Sequence, residues 1–350
     1  MSNKMKAIMK REPKMGAELV VVDIPEPSDS EVLVKVIATS ICGTDAHIYK
    51  WDRWSQSRIK TPMIFGHEFA GEVVKIGRNV RGVKVGDFIS AESHIPCGYC
   101  KVCRNGQMHI CTNLKILGVD TQGCFAEYVV IPEICAWKNN KDMPPHIAAV
   151  QEPLGNAVYA TLSSEITGRS VAIFGDGPAG LFSTGVARAA GASMIFLLGT
   201  YEFNLNIGKK MGASRTINVL QEVEYINKII EETEGDGVDV VLEMSGAEKA
   251  INEGFKVLRK GGTFVAFGIP SDEVKLNFAE ALIFKGANVI GINGREMFRT
   301  WVKMKELLNS KKLDPEPVIT HQIPFEKFNE GFELMLDTKD HKAAKIVMRL

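Results

Sequence analysis

The sequence predicts an α/β protein of two domains, one rich in β-strands and one built on a doubly wound parallel sheet. Up to about residue 150, short stretches with strand character, such as EVLVKVIATS and FAEYVVIP, alternate with turn residues. From about Ser170 onwards, strand, tight loop and helix alternate, as in SVAIF followed by GDGPAGLFSTGVARAAG. This alternation favours a parallel sheet that is covered by helices on both faces.

The C-terminal segment is predicted to return to the β-rich domain. MFRTWVKMKELLNS has helical character, and the closing AAKIVMRL has the pattern of a strand. We therefore expect a discontinuous first domain of residues 1–155 and 296–350, and a second domain of residues 156–295.

The composition is that of an ordinary soluble globular protein. Of the 350 residues, 45% are apolar and 24% are charged. The 42 basic and 42 acidic side chains cancel, so the net charge favours neither nucleic acid nor an anionic membrane as a partner. No apolar run approaches the roughly 20 residues that span a bilayer, and the first residues lack the apolar block of a signal peptide. We expect a cytoplasmic enzyme that acts on a small molecule.

Four of the seven cysteines, Cys97, Cys100, Cys103 and Cys111, follow the spacing C-x2-C-x2-C-x7-C. In a reducing compartment such clustering favours a metal over disulfides. Four thiolates complete a tetrahedral zinc shell that leaves no position for water, so the predicted role is structural. An iron–sulfur cluster and disulfides are the alternatives, but the spacing differs from that of ferredoxins and no proline follows the fourth cysteine.

A second set of potential metal ligands lies upstream, in ICGTDAHIYK and FGHEFAG. Taken alone, Cys42 is more typical of a buried core thiol, and His67 with Glu68 could be an ordinary loop pair. Together they offer a thiolate, an imidazole and a carboxylate. This is the ligand mixture of a catalytic zinc that keeps one position for water or substrate.

The stretch FGDGPAG places Gly175, Gly177 and Gly180 as G-x-G-x-x-G between an apolar strand and a helix. The first glycine allows the turn, the second lets a pyrophosphate approach the backbone, and the third lets helix and strand pack closely. The helix N-terminus then stabilises the phosphate charge. In this context the motif predicts a dinucleotide site.

These motifs, in this order and over essentially the whole chain, resemble the zinc-dependent medium-chain alcohol dehydrogenase superfamily. Within it, HIYKWDRWSQ, SHIPCG, QEPLGNAV and INGREMFRTWVKM are similar to the threonine dehydrogenase family. The resemblance implies a GroES-like catalytic domain with a Rossmann domain, one catalytic and one structural zinc per chain, NAD or NADP, and a homotetramer. The implied reaction is oxidation of the 3-hydroxyl of L-threonine, and a polyol dehydrogenase of the sorbitol or butanediol type is the alternative.

Carried over by position, the resemblance implies that Cys42, His67 and Glu68 bind the catalytic zinc. Zinc lowers the pKa of the substrate hydroxyl, and the nicotinamide takes the hydride. The resemblance also implies that Thr44 accepts the proton and that His47 passes it to solvent. A hydroxyl that caps a turn and a surface imidazole are the alternative interpretations of these two residues.

An amino-acid substrate also needs protein groups that bind its ammonium and its α-carboxylate. Glu152 is implied to lie at or just beyond the zinc ligands, and it and His94 are candidates to meet the substrate ammonium. Arg295 could pair with the α-carboxylate, since a guanidinium matches a carboxylate in shape and charge. It could equally hold the cofactor pyrophosphate.

The end of the second strand of the dinucleotide domain departs from the family pattern. An NAD site usually places Asp or Glu there to hold the adenosine ribose, but here the strand ends in Gly199, and Asn204 replaces the usual arginine. The missing carboxylate predicts dual use of cofactors or a preference for NADP, although no basic partner for a 2′-phosphate is added. The cofactor contacts predicted in all are Gly175, Gly177, Ala179, Gly180, Gly199, Thr200, Asn204, Phe267, Gly268, Ile269, Gly291 and Ile292.

Overall fold

The computed structural model describes residues 3–350 and divides the chain into two units. The first unit holds the chain up to Glu152 together with Ile319–Leu350, and the second unit holds Pro153–Val318. The sequence-based division falls after residues 155 and 295. In the structure, residues 296–318 belong to the second unit and not, as the sequence predicts, to the first. The physical reason is packing: buried Leu313 lies against Gly185, a residue of the second unit that has no side chain to obstruct it.

The strands alternate with helices most regularly in the second half of the chain. The strands are β1 (Lys4–Lys10), β2 (Glu18–Asp23), β3 (Glu31–Ser40), β4 (Met63–Ile64), β5 (Glu68–Ile76), β6 (Phe88–Ala91), β7 (His94–Ile95), β8 (Lys115–Ile116), β9 (Tyr128–Pro132), β10 (Ala136–Lys138), β11 (Ser170–Phe174), β12 (Met194–Gly199), β13 (Arg215–Asn218), β14 (Val238–Glu243), β15 (Leu258–Ala266), β16 (Asn288–Gly291), β17 (Ile319–Pro324) and β18 (Lys345–Arg349). The helices are α1 (Gly43–Lys50), α2 (Arg53–Arg58), α3 (Lys101–Arg104), α4 (Pro145–Ala149), α5 (Gln151–Leu162), α6 (Pro178–Ala189), α7 (Glu202–Met211), α8 (Tyr225–Glu232), α9 (Glu248–Val257), α10 (Arg299–Asn309) and α11 (Phe328–Leu336). Among residues 3–350, no helix has the length and apolar character that crossing a bilayer requires.

The first unit is built on mainly antiparallel sheets, in which β17 pairs parallel with β18. Its largest sheet has the order β10-β6-β5-β3-β18-β17, with β9 also paired to β3, and a smaller sheet has the order β2-β1-β4. Strand β18 pairs antiparallel with β3, as the strand pattern of AAKIVMRL predicts. Buried aromatic rings fill the core, with Phe65, Phe125 and Phe332 packed on one another.

The second unit contains one parallel sheet of six strands in the order β13-β12-β11-β14-β15-β16. The chain therefore starts at β11 in the middle and proceeds outwards in both directions, which is the order of a dinucleotide-binding Rossmann fold. Strands β11 and β12 are buried along almost their whole length, because helices cover both faces of such a sheet. The predicted doubly wound parallel sheet is confirmed.

Candidate active site and metal centres

The four clustered cysteines converge on one point. Their sulfur atoms all lie within 4.8 Å of one another, and Sγ of Cys100 is 3.8 Å from Sγ of Cys111. Four thiolates about 2.3 Å from a zinc ion form a tetrahedron with edges of about 3.8 Å. The distance is too long for a disulfide, so the loop has the geometry of a closed tetrahedral site.

Backbone amides around this loop point at the sulfur atoms. The amide of Cys97 donates to Sγ of Cys111 at 3.3 Å, and the amide of Cys100 donates to Sγ of Cys97 at 3.4 Å. Amide hydrogen bonds from Cys103 and Thr112 lower the pKa of Cys100 to about 5. Hydrogen bonds to a charged thiolate stabilise it, so Cys100 is prepared to bind a cation. Burial raises the pKa of Cys103 to about 12, and a bound cation would offset this effect.

The second group of ligands assembles in the first unit, where β3 and β5 lie side by side. Cys42 is the N-cap of α1, Glu68 is the first residue of β5, and His67 directly precedes it. One ligand atom from each of the three lies within 4.8 Å of the others. Nδ1 of His67 and Oε1 of Glu68 are buried without a hydrogen-bond partner among the described residues. Buried polar atoms are rarely left unpaired, so this set fits a metal ion.

Asp45 gives this centre a negative electrostatic field. Its Oδ2 accepts a hydrogen bond from the amide of Cys42 at 2.9 Å, and its Oδ1 lies 3.5 Å from Nδ1 of His67. Burial lowers the pKa of His67, but Asp45 and Cys42 outweigh burial and leave that pKa well above its usual value. A site that attracts a proton to a buried imidazole in this way also favours a bound cation.

Glu68 has a second partner, which the sequence motifs do not reveal. Its Oε2 lies 2.5 Å from Nζ of Lys345 and also accepts a hydrogen bond from the hydroxyl of Ser40. Lys345 is 2% exposed and donates to the carbonyl of Ile41 at 2.9 Å. Burial alone would lower the pKa of Lys345, but the charge of Glu68 raises it above its usual value. The lysine therefore keeps its charge and fixes one carboxylate oxygen of Glu68.

The two residues predicted for proton transfer lie on α1, three positions apart. Thr44 is half-buried, and His47 is exposed, with 56% of its side chain accessible. Nδ1 of His47 pairs with Oδ2 of Asp52. Since the carboxylate accepts from Nδ1, the other ring nitrogen, Nε2, is the one able to take up a proton.

Glu152 and His94 are both buried. Oε1 of Glu152 accepts a hydrogen bond from the hydroxyl of Ser93 at 2.5 Å. Nδ1 of His94 lies 2.9 Å from the carbonyl oxygen of His109 and must be the donor to it. Glu152 is close enough to Glu68 to raise the pKa of that carboxyl, although burial has the larger effect. Glu152 lies outside the group of three ligand atoms that are mutually close.

Arg295 is fully buried in the second unit. Its Nη1 donates to Oδ1 of Asn156 at 2.8 Å, and its side chain passes so close to Gly155 that an added Cβ would lie 2.8 Å from its Cδ. The structure thus shows that Arg295 contacts α5. The sequence instead predicts contact with the substrate carboxylate or with the cofactor pyrophosphate.

The glycine-rich loop of the second unit has the form that a dinucleotide needs. Gly175 has φ +117°, which favours glycine. An added Cβ at Gly180 would lie 1.8 Å from the carbonyl oxygen of Gly175, whereas one at Gly177 would meet nothing within 4 Å. The third glycine therefore permits close packing, and the second leaves space above the N-terminus of α6. Both features fit a bound pyrophosphate.

The other predicted cofactor positions lie at the carboxyl end of the same sheet, where dinucleotides bind. Gly199 ends β12, and Gly291 ends β16. The amides of Phe267 and Gly268 both donate to the carbonyl of Glu243 at 3.0 Å, while Ile269 is 90% exposed. Ala179 and Ile292 are half-buried, Thr200 is exposed, and Asn204 is buried on α7.

An acidic residue that the sequence analysis passed over lies at the strand end. Asp176, inside the glycine-rich loop, accepts hydrogen bonds at Oδ2 from the amides of Thr200 and Tyr201, at 2.9 and 2.8 Å. An added Cβ at Gly199 would lie 2.2 Å from Cγ of Asp176. The strand end that lacks a carboxylate of its own is therefore occupied by one from the loop.

Comparison with known proteins agrees with this geometry. Residues 28–141 match the alcohol dehydrogenase GroES-like domain, and residues 178–310 match the zinc-binding dehydrogenase domain. The chain is 49% identical over its whole length, and over the whole length of its relative, to the L-threonine 3-dehydrogenase of Pyrococcus abyssi. It belongs to the zinc-dependent medium-chain alcohol dehydrogenase family. The predicted fold class of this dehydrogenase, GroES-like plus Rossmann, is thereby confirmed.

Solved structures of similar fold carry nicotinamide cofactors. An alcohol dehydrogenase of Escherichia coli in complex with NADH covers all of both chains with a TM-score of 0.90 and 25% identity. A zinc-binding dehydrogenase of Sinorhizobium meliloti bound to NADP covers all of both chains with a TM-score of 0.90 and 27% identity. This dehydrogenase is accordingly an oxidoreductase that uses zinc and a nicotinamide dinucleotide, as predicted.

Three residues at these sites escaped the sequence analysis. Asp45 follows the recognised Cys42 and Thr44, so the local motif offered a signal. Asp176 is the only acid within the glycine-rich loop, and a negative charge in a predicted phosphate-binding loop is a signal in itself. Lys345 is a lysine flanked by the apolar residues of a predicted strand, and a buried lysine is almost always paired with another group.

Proposed function

We propose that this zinc-binding dehydrogenase oxidises the 3-hydroxyl of L-threonine to L-2-amino-3-oxobutanoate and transfers the hydride to NAD⁺ or NADP⁺. The observation that carries the proposal is the 49% identity, over both full lengths, to the L-threonine 3-dehydrogenase of Pyrococcus abyssi. The identity to the solved dehydrogenases with nicotinamide cofactors is about half as high, at 25% and 27%. Identity at this level across the entire chain favours a shared substrate as well as a shared fold.

Cys42, His67 and Glu68 are proposed to hold the catalytic zinc. Their ligand atoms are mutually close, and Oε1 of Glu68 has no hydrogen-bond partner among the described residues. When bound, zinc acts as a Lewis acid and lowers the pKa of a substrate hydroxyl. The four cysteines, Cys97, Cys100, Cys103 and Cys111, are proposed to hold a second zinc that fixes their loop and takes no part in the reaction.

Thr44 and His47 are proposed to move the substrate proton. The half-buried Thr44 hydroxyl can accept the proton at Oγ1 and release its own. His47 can take that proton at Nε2, because Asp52 holds Nδ1 in the donor form. With 56% of its side chain exposed, His47 can then pass the proton to water.

The cofactor is proposed to bind at the carboxyl end of the parallel sheet. Gly177 and the first turn of α6 would receive the pyrophosphate through backbone amides. When bound, the nicotinamide accepts the hydride at C4. Phe267–Ile269 and Gly291–Ile292, at the ends of neighbouring strands, are proposed to offer backbone contacts.

Glu152 is proposed to meet the substrate ammonium, since a buried carboxylate is a suitable partner for it. His94 would then orient the same region through its bond to the carbonyl of His109. For Arg295, burial and the bond to Asn156 favour a role in holding α5 over contact with the substrate carboxylate or the pyrophosphate.

The test is a matrix of initial rates, with L-threonine, sorbitol and butane-2,3-diol each assayed against NAD⁺ and NADP⁺. The proposal expects turnover of L-threonine to exceed that of both polyols by at least about a hundredfold in kcat/KM. Activity on polyols alone would instead assign the enzyme to the polyol dehydrogenases. A Cys42→Ser variant, with its zinc content measured, serves as the control: it should lose turnover together with about one zinc per chain.

Self-association and a cytoplasmic location complete the proposal. The edge strand β16 and the turn before it expose Val289, Ile283 and Phe284 by 47%, 63% and 65%. Exposed apolar patches of this kind mark interaction surfaces, and this one supports the implied homotetramer. Light scattering on the purified protein would test the oligomeric state. None of the seven cysteines, which all lie within residues 3–350, forms a disulfide, and this is typical of proteins in a reducing compartment.

A further inference from the structure

Asp176 is an acid in an unusual place. It follows the first glycine of the phosphate-binding loop, and its side chain reaches the end of β12. There Oδ2 accepts hydrogen bonds from the amides of Thr200 and Tyr201, at 2.9 and 2.8 Å. Only 7% of the residue is exposed. The two amides thus hold a buried negative charge at the carboxyl end of the second strand.

Gly199 and Asp176 are sterically linked. A Cβ at position 199 would lie 2.2 to 2.4 Å from three atoms of the Asp176 side chain, which is far inside van der Waals contact. No side chain at position 199 can coexist with Asp176 in this position. Gly199 therefore does more than remove a carboxylate from the strand end, because it makes the space that another carboxylate fills.

We propose that Asp176 replaces the missing strand-end acid and determines the choice of cofactor. The predicted ligand is a dinucleotide with an unmodified adenosine ribose, whose hydroxyls can donate to a carboxylate. A 2′-phosphate would bring negative charge towards a buried negative charge. The following turn, Thr200–Asn204, contains no lysine or arginine that could compensate. The enzyme is thus specific for NAD. Gly199 considered alone predicts dual use of cofactors or a preference for NADP.

A purely structural role is the competing explanation, since Asp176 also caps the turn after β12. Asp176→Asn separates the two roles. The asparagine carbonyl can still accept from both amides, so the turn keeps its shape, while the negative charge is lost. Asp236→Asn is a matched control, because it removes the same charge from an exposed loop of the same unit.

The experiment is isothermal titration of NADH and NADPH into the zinc-loaded, full-length protein without substrate. For the wild type, we expect NADH to bind at least about tenfold more tightly than NADPH. In Asp176→Asn, the ratio of the two dissociation constants should shift towards NADPH by about tenfold or more, and in Asp236→Asn it should stay at the wild-type value. A wild type that binds NADPH as tightly as NADH, or an Asp176→Asn ratio equal to that of the control, would overturn the proposal.

A variant with the carboxylate at the other position shows whether any change in cofactor binding comes from the lost charge or from a damaged loop. Asp176→Gly combined with Gly199→Asp moves the carboxylate to the strand end, and the glycine removes the Cβ that would lie 2.3 Å from a Cβ at position 199. NADH should then again be preferred, as in the wild type. If this variant binds NADH no better than Asp176→Gly does, the carboxylate is not the determinant. The proposal rests on the cofactor site of the family and not on the threonine assignment, because binding is measured without substrate. A failed threonine assay would leave this result unaffected.

Discussion

Lys345 and Glu68 form a buried ion pair, with 2.5 Å between Nζ and Oε2. The two side chains are only 2% and 0% exposed. The last strand of the chain thereby contacts a proposed zinc ligand directly. One carboxylate oxygen is occupied by the lysine and by Ser40, which leaves Oε1 for the metal.

Removing Lys345 should therefore affect both stability and metal binding. Lys345→Met leaves the buried Glu68 without its counter-charge, and breaking one side of a buried pair costs about 3–5 kcal/mol. Urea unfolding of the zinc-loaded protein measures the free energy of unfolding, and competition with a chelator measures zinc affinity. Lys35→Met, at an exposed position of β3, is the control. Equal effects of the two substitutions would show that the pair has no special importance.

The cysteine loop predicts a specific loss of metal. Cys103→Ser removes one of four thiolates, so zinc content should fall from about two to about one per chain, with a lower melting temperature. Cys135→Ala removes another buried thiol that lies outside the cluster and should keep both metals. Two zinc ions per chain in Cys103→Ser, measured by plasma emission spectrometry, would rule out the four-thiolate site.

Replacing His47 should slow proton transfer, and a small base added to the solution should restore part of the rate. In His47→Ala, kcat should fall about a hundredfold, because no group replaces the exposed imidazole between Thr44 and water. Added imidazole should restore part of the rate, since the side chain is 56% accessible. His341→Gln serves as the control for loss of a histidine. An unchanged kcat and pH profile in His47→Ala would exclude the relay.

Lys10 predicts a rise of stability with pH. Its buried Nζ donates to the carbonyls of Gly16 and Tyr49, at 2.9 and 3.1 Å, and burial lowers its pKa from 10.5 to about 8. Between these values the unfolded chain binds more protons than the folded one, so the contribution of Lys10 to stability increases with pH. Below about pH 8 the cost of the buried charge is fully present.

Lys10→Met should accordingly flatten the pH dependence of the free energy of unfolding between about pH 8 and pH 10. The measurement is urea unfolding at several pH values across this window, for the variant and the wild type. Lys35→Met is again the matched control, because its side chain is exposed. Parallel curves for wild type and Lys10→Met would contradict the lowered pKa.

The parts of the fold that could be predicted are those with local signals. Strands β11 and β12 are continuous apolar runs, and the glycine-rich loop follows one of them directly. By contrast, no local signal in FKVLRK marks the point where α9 ends at Val257 and β15 begins at Leu258. The change comes from pairing of Leu258 with Val238 of β14, which is a tertiary interaction that the local pattern does not contain.

The same distinction applies to the sites. The metal-ligand sets could be predicted because spacing and residue type define them within short motifs. The partners of these residues could not, since Lys345 reaches Glu68 only through the pairing of β18 with β3. Likewise, Gly199 indicates that the usual acid is missing from the strand end. Asp176 fills that space because the glycine-rich loop folds back onto the strand end, and the local sequence does not contain this contact.

Deuterium transfer from L-threonine labelled at C3 tests the central claim most directly. The zinc-loaded enzyme should convert the labelled substrate and NAD⁺ into a reduced cofactor that carries the deuterium at C4 of the nicotinamide, as detected by mass spectrometry and NMR. Zinc-depleted enzyme should give no transfer. Reduced cofactor without deuterium, or no reduction with L-threonine while a labelled polyol delivers its deuterium, would contradict the proposed reaction.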